Sequence, residues 1–246
     1  MATPAPLLTS SAARLSRADC GGLTLALLGV RAVLRASGAL WIERARTLVV
    51  ADLHLEKGSA YGARGQLLPP YDTRETLARL AAEVEALDPQ VVVLLGDSFH
   101  DGLAETRLDP ADARSLTAIA RRRALAWVVG NHDADGPSSA LPGQTVARLE
   151  VEGLTLTHEP RPGAAPGEIA GHLHPAIKLV RYGRGVRRRC FLTDGERLIL
   201  PAFGAYAGGL NVLDPAFAAL FASAPTAAAL GRGRVHALAM AGLSAD

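Results

Sequence analysis

Cysteine is almost absent from this chain. Only Cys20 and Cys190 occur, far apart and without Cys-x-x-Cys spacing, which excludes a disulfide scaffold and a thiolate zinc cluster and fits a reducing compartment. Lysine is nearly missing too, since of 26 basic residues only Lys57 and Lys178 are not arginine. Aromatic residues make up 4% of the chain, which argues against a base-stacking platform for single strands. Long apolar runs are also lacking. The stretches Leu23 to Val30 and Val91 to Leu95 end at Arg31 and Gly96, well short of the roughly 20 residues that a membrane helix needs. The first 22 residues carry Pro4, Pro6, Arg14 and Arg17 with no continuous apolar stretch, so they read as a loosely ordered leader and not as a secretory signal. The expected location is therefore the cytoplasm. Net charge is small, at +2, so affinity for nucleic acid would have to come from a local patch.

What is present describes an ordinary globular chain. With 246 residues, 49% of them hydrophobic, it is long enough to bury a sizeable core, and residues 23–246 read as one domain. Short apolar runs at Leu23 to Leu28, Val30 to Leu34, Ala39 to Glu43 and Thr47 to Ala51 predict an all-β opening with a turn at Ser37-Gly38. A Gly/Pro-rich loop follows from Gly58 to Pro70. Leu77, Leu80, Ala81, Val84 and Leu87 then recur at helical spacing, so Asp72 to Leu87 predicts an amphipathic helix that stops before Pro89. Val91 to Leu95 and Ala124 to Val129 read as buried strands around a second helix, Asp112 to Arg123. Downstream, runs at Gln144 to Glu150, Leu154 to Thr157, Glu168 to Ala170, Ala176 to Val180, Arg189 to Thr193 and Glu196 to Leu200 make the second half mostly β. Asp194-Gly195 marks a hairpin between the last two. The expected fold class is α/β, with two packed mixed sheets and helices on the outer faces.

Seven histidines are few enough to be placed one by one. Six sit in Asp52-Leu53-His54, Gly96-Asp97-Ser98-Phe99-His100-Asp101, Gly130-Asn131-His132-Asp133, Thr157-His158-Glu159 and Gly171-His172-Leu173-His174, each directly after a predicted strand. Side chains at the carboxyl ends of neighbouring strands converge on one crevice. Asp52 and His54 share a face if the strand continues, as do His172 and His174, so each pair can grip a metal. Any one such histidine alone is an ordinary core or loop residue. Five segments in this order are not. His236 has no companion and reads as structural.

This order of motifs resembles the calcineurin-like metallophosphoesterase superfamily, from about Thr47 to Pro175. The segments Asp52 to Gly58, Leu95 to Asp101, Gly171 to Pro175 and Leu200-Pro201-Ala202-Phe203-Gly204 are also similar to the PdeM family of DNA-ligase-associated metallophosphoesterases, over most of the chain. The superfamily likeness implies a four-layer α/β/β/α sandwich with a dinuclear metal centre. The narrower likeness implies a manganese-dependent phosphodiesterase, a DNA endonuclease of DNA damage response, functionally associated with a DNA ligase and a helicase. Matched motif to motif, it implies that Asp97 bridges two ions, that Asp52, His54 and His174 complete one, and that Asn131, His158 and His172 complete the other. Such donors, without thiolate, suit Mn, Fe or Zn, with Mn first on the resemblance.

The same likeness makes His132 a proton donor or charge stabiliser for the leaving group. Asp133 would orient its imidazole and raise its pKa, or simply cap the loop. The Gly-Asp-x-Phe-His pattern is similar to that of the double-strand-break nucleases of the superfamily, where this histidine contacts the scissile phosphate. His100 would then be catalytic, with a hydrogen-bonding role behind the site as the alternative. Asp101 reads as a surface residue or as one that supports the site from behind. Arg181, Arg184, Arg187, Arg188 and Arg189 follow the last ligand pair, placed either at the rim of the site against phosphates or in a solvated loop. Arg64, with Lys57 nearby, would form the opposite rim. The alternatives are a phosphomonoesterase or a small-molecule or cyclic-nucleotide phosphodiesterase, and a non-catalytic scaffold. Scaffold versions of the superfamily lose ligands or the catalytic histidine, and none is missing here.

Overall fold

Apolar residues that alternate along the strands carry the architecture of the computed structural model, which describes residues 15–66 and 68–246. In chain order the first part comprises β1 (Leu15–Arg17), β2 (Leu23–Leu27), β3 (Val30–Leu34), β4 (Leu40–Ile42), β5 (Thr47–Ala51), α1 (Lys57–Ala63), α2 (Asp72–Leu87), β6 (Val91–Leu95), α3 (Ala104–Arg107), α4 (Pro110–Ala120), β7 (Ala124–Val128) and β8 (Gln144–Val146). β1 to β8 form one sheet in sequence order. Its pairings are antiparallel up to β5 and parallel from β5 to β8.

The second part comprises β9 (Leu149–Val151), β10 (Leu154–Thr157), β11 (Glu168–Ala170), β12 (Pro175–Arg181), β13 (Arg184–Thr193), β14 (Leu198–Ile199), β15 (Leu210–Asn211), β16 (Thr226–Leu230) and β17 (Val235–Ala239). It forms a mixed sheet in the order β15-β12-β13-β14-β11-β10-β9, with β16 beside β13 and β17 beside β16.

Period-two alternation sends each side chain to a defined layer. Val49, Val93 and Ala126 point into the core between the sheets, where they meet Leu156, Ile169 and Phe191 of the second sheet. Leu48, Val92, Leu125 and Trp127 point the other way, onto Leu77, Leu80 and Val84 of α2 and Leu116 and Ile119 of α4. The outer face of the second sheet, with Ile177, Leu192 and Ile199, is covered by Val212, Phe217 and Leu220. The expected α/β fold of two mixed sheets with flanking helices is therefore the observed one. Its fourth layer is thin, built on the 3-10 turn Pro215–Phe217 and loops rather than on long helices.

Several local expectations are corrected. Leu15–Arg17, assigned to the leader, pairs with β2 as an edge strand; residues 1–14 of the expected leader lie outside the described residues. The expected loop from Gly58 to Pro70 opens instead within α1. The N-cap residue of that short helix makes no side-chain capping bond, and its start is instead held by tertiary bonds: the Asp72 carboxylate accepts from the Gly58 N–H at 3.1 Å, and buried Glu56 accepts from the Thr73 hydroxyl at 2.9 Å. α4 starts at Pro110, where proline suits the first turn and the Asp109 carboxylate accepts from the Ala111 N–H at 2.7 Å. The run Gln144 to Glu150 is two strands, because the chain leaves the first sheet at β8 and joins the second at β9.

Candidate metal centre

The loops at the carboxyl ends of β5, β6 and β7 meet the loops after β10 and β11, and the expected ligands lie in them. The backbone there is under local strain. Asp52 (φ 54°), His54 (φ 45°), Asp97 (φ 42°), His172 (φ 67°) and His174 (φ 45°) all adopt the left-handed conformation, which L-residues rarely take and which costs about 1 to 3 kcal/mol each. Neighbouring strands compensate: the His54 N–H donates to Asp97 O at 2.9 Å, and the Gly204 N–H donates to Asp52 O at 3.1 Å. That second bond shows what the Leu200-to-Gly204 motif does. It folds back over the end of β5, with Phe203 N–H donating to Ala51 O at 2.7 Å. Two glycines are required by close approach. A Cβ on Gly96 would lie 2.0 Å from His158 Nδ1, and one on Gly130 would lie 2.2 Å from Asp97 Oδ1.

The side chains gather in two groups, Asp52 with His54 and His174, and Asp97 with His158 and His172, each with its ligand atoms within 4.8 Å of one another. Asn131 joins the second group, its Oδ1 lying 3.0 Å from His158 Nε2. His54 Nε2 faces His174 Nε2 at 3.2 Å, and His172 Nδ1 faces His158 Nε2 at 3.2 Å. Two imidazoles on one ion, each bound at about 2.1 Å, hold their nitrogens roughly 3.0 to 3.4 Å apart, so this spacing fits coordination. Burial, then the neighbouring His174, push the His54 pKa down to about 2, which keeps its lone pair available. The donors are imidazole, carboxylate and amide without thiolate, a set that fits divalent Mn, Fe or Zn.

Asp97 stands between the groups. Its Oδ1 lies 3.4 Å from His158 Nε2 in one, and its Oδ2 lies 3.9 Å from His54 Nε2 in the other. Oδ1 also accepts from the His132 N–H at 2.9 Å. The His132 ring is half exposed and belongs to neither group. Its Nδ1 lies 3.0 Å from the His100 carbonyl oxygen, an acceptor that fixes the tautomer and leaves Nε2 to face the crevice.

Of the two roles expected for Asp133, orienting this imidazole or capping the loop, its contacts fit the second. The Asp133 carboxylate accepts from the backbone N–H groups of Ser98 at 2.7 Å, Phe99 at 3.1 Å and Gly130 at 3.0 Å, and so holds the two ligand loops together. Burial raises its pKa against the pull of those three donors. Asp133→Asn should therefore lower unfolding stability by about 1.5 to 3 kcal/mol, measured by denaturant titration, and should not shift the pH–rate profile. A shifted profile at unchanged stability would restore the orienting role.

His100 lies beside His132, with ring centroids 5.8 Å apart and planes 18° from parallel. Its pKa is lowered by burial and by the charge of Lys57. Asp101, expected at the surface or behind the site, accepts from Arg107 at 2.9 and 3.0 Å. Arg107 also donates to Ser59 Oγ at 3.0 Å, a clamp between α1 and the His100 loop that no local pattern announces.

The five arginines lie along the β12–β13 hairpin. Ala176 pairs with Arg189, Lys178 with Arg187, and Arg181 with Arg184 along the β12–β13 hairpin. This hairpin runs away from His174, so its tip lies roughly 20 Å along the strand. Arg189 donates to the carbonyls of Ala202, Ala205 and Ala207 at 2.9 to 3.1 Å, and Arg187 is bound to Asp246 and the Gly209 carbonyl. These two guanidinium groups hold the protein's own loops. Arg64 lies at the end of α1. His236 sits on β17, away from the centre.

A sequence model of the calcineurin-like phosphoesterases matches residues 45–182. The chain belongs to that family. Among solved structures, this phosphoesterase chain is similar to the crystal structure of Pseudomonas putida nuclease MPE, with 29% identity, a TM-score of 0.67, and coverage of 88% of this chain and 100% of that one. It also matches YfcE, a phosphoesterase from E. coli, with 16% identity, a TM-score of 0.39, and coverage of 79% and 98%. No curated protein sequence matches. Among the described residues of this phosphoesterase, no helix is long and apolar enough to cross a membrane.

Proposed function

We propose that this phosphoesterase is a two-metal, manganese-first phosphodiesterase of the PdeM type that cuts DNA. We place it in the cytoplasm in DNA damage response, alongside a DNA ligase and a helicase, with residues 23–246 as its one catalytic domain. The observation that carries the two-metal reading is Asp97, whose two oxygens face different ligand groups at 3.4 and 3.9 Å. A nucleic-acid substrate is supported by the nuclease neighbour at 29% identity over 88% of the chain, and the choice of DNA rests on the likeness to the PdeM family.

In this reading Asp52, His54 and His174 hold one ion, Asn131, His158 and His172 the other, and Asp97 both. Divalent ions in such a site supply Lewis acidity toward a phosphoryl oxygen and a water nucleophile at neutral pH. The chain does the rest. The doubly protonated His132 ring donates its Nε2 proton to the leaving oxygen and is left neutral, and the His100 carbonyl, which accepts from Nδ1–H, keeps the ring in place for that transfer. His100 itself contacts the scissile phosphate from the next position in the ring row. Metal analysis of the purified protein, together with turnover of DNA, a chromogenic diester and a chromogenic monoester in Mn2+, tests the proposal. Two ions per chain and preference for the diesters are the expected results. Preference for the monoester would replace it with the phosphomonoesterase reading.

A further inference from the structure

Next to His132 a cavity of about 260 Å3 is lined by Asp101, Glu105, Asp133 and Asp135, of which Asp101 is already paired with Arg107. Next to His100 stands α1. Spacing of i, i+4 and i+7 puts Lys57, Tyr61 and Arg64 on one helix face. The Tyr61 ring lies 6.0 Å from that of His100 and 37° from its plane, which extends the row of rings that His100 makes with His132. The charges of Lys57 and Arg64 both bear on the His100 imidazole, so this face looks onto the site. Among the described residues neither cation has an ion pair or a side-chain hydrogen bond. The Arg107 clamp to Ser59 and Asp101 fixes α1 in place. Tyrosine is concentrated here as well: Tyr206 donates to the Pro69 carbonyl at 2.8 Å, and Tyr71 at the start of α2 is 64% exposed. The chain-wide scarcity of aromatics thus conceals a local supply.

We propose that Lys57, Tyr61 and Arg64 form the subsite for the nucleotide next to the bond being cut, with the Tyr61 ring stacked on its base and the two cations on neighbouring phosphates. The inference rests on the phosphodiesterase reading above. A base reaches the tyrosine face only when it is unpaired, so the strand is single at that point.

The test is fluorescence anisotropy of a labelled oligothymidylate with the full chain, without added metal, for wild type, Tyr61→Ala, Tyr61→Phe and the double variant Lys57→Gln/Arg64→Gln. Tyr61→Ala should weaken binding roughly 5- to 150-fold, the usual worth of one stacked base. Tyr61→Phe, which keeps the ring and guards against a misfolded variant, should bind like wild type. With an oligonucleotide of abasic units, wild type and Tyr61→Ala should bind alike. The double variant should flatten the log-log salt slope by about 1.4, at about 0.7 for each phosphate on a single strand. Wild-type affinity in Tyr61→Ala, equal loss in Tyr61→Phe, or an unchanged slope would each overturn the subsite. Hydrolysis of bis(p-nitrophenyl) phosphate by the wild-type protein in Mn2+ is scored separately. Its absence counts against the phosphodiesterase reading, whereas its presence with unaltered oligonucleotide binding in Tyr61→Ala counts against the subsite alone.

Discussion

Asp97→Asn should cost more metal and more turnover than the loss of any terminal ligand. The carboxylate offers one oxygen to His158 and its partners and the other to His54 and its partners, and an amide presents only one good ligand atom. Removing even an outer partner of a metal ligand typically costs 10- to 100-fold. Loss of a shared ligand should therefore lower turnover by more than about 100-fold, with metal content falling from two ions to one or fewer. His54→Ala and His172→Ala, which each touch one group, should be milder on metal content. Elemental analysis of the three variants decides. Unchanged metal content in Asp97→Asn would remove the bridging role.

His132→Ala should behave in the opposite manner. Its imidazole lies outside both ligand groups, 3.9 Å from Asp97 Oδ2, and is anchored through Nδ1 to a backbone carbonyl. Metal content should stay at the wild-type level while kcat falls about 10²- to 10⁴-fold, the range of a positioned proton donor. Stripping of an ion by this substitution would make His132 a ligand and end its assignment as the acid.

The strands that carry the centre could be read from the sequence because their apolar runs are short, local and bounded by turn residues. Thr47–Ala51, Val91–Leu95 and Leu154–Thr157 have large apolar side chains in short runs, and the ligands follow within three residues of β5, β6, β7 and β10. β16 and β17 gave little signal, since Thr226–Leu230 is three-fifths alanine and small side chains blur the two-residue period. α1 was hidden by Gly58 and Gly62, which favour a loop in isolation; Glu56, Thr73 and Arg107 override that preference by contacts across the fold. Side-chain partnerships were the least legible part. Asp133 adjoins His132 in the chain, yet the bend after β7 turns its carboxylate toward the Ser98 loop. Arg181 and Arg184, near His174 in sequence, recede from it along an extended hairpin of roughly 20 Å, whereas Arg189, farther off in sequence, pairs back beside Ala176.

Each ligand group draws on both sheets: Asp52 and His54 follow β5 while His174 precedes β12, and Asp97 follows β6 while His158 and His172 follow β10 and β11. An ion held by either group is therefore a cross-link between the two halves of the molecule, and unfolding must break it. Free metal at a hundred times its dissociation constant adds about 2.7 kcal/mol to the folded state for each such site. A chelator should accordingly lower the melting temperature of the whole domain, and heat resistance becomes a gauge of metal supply.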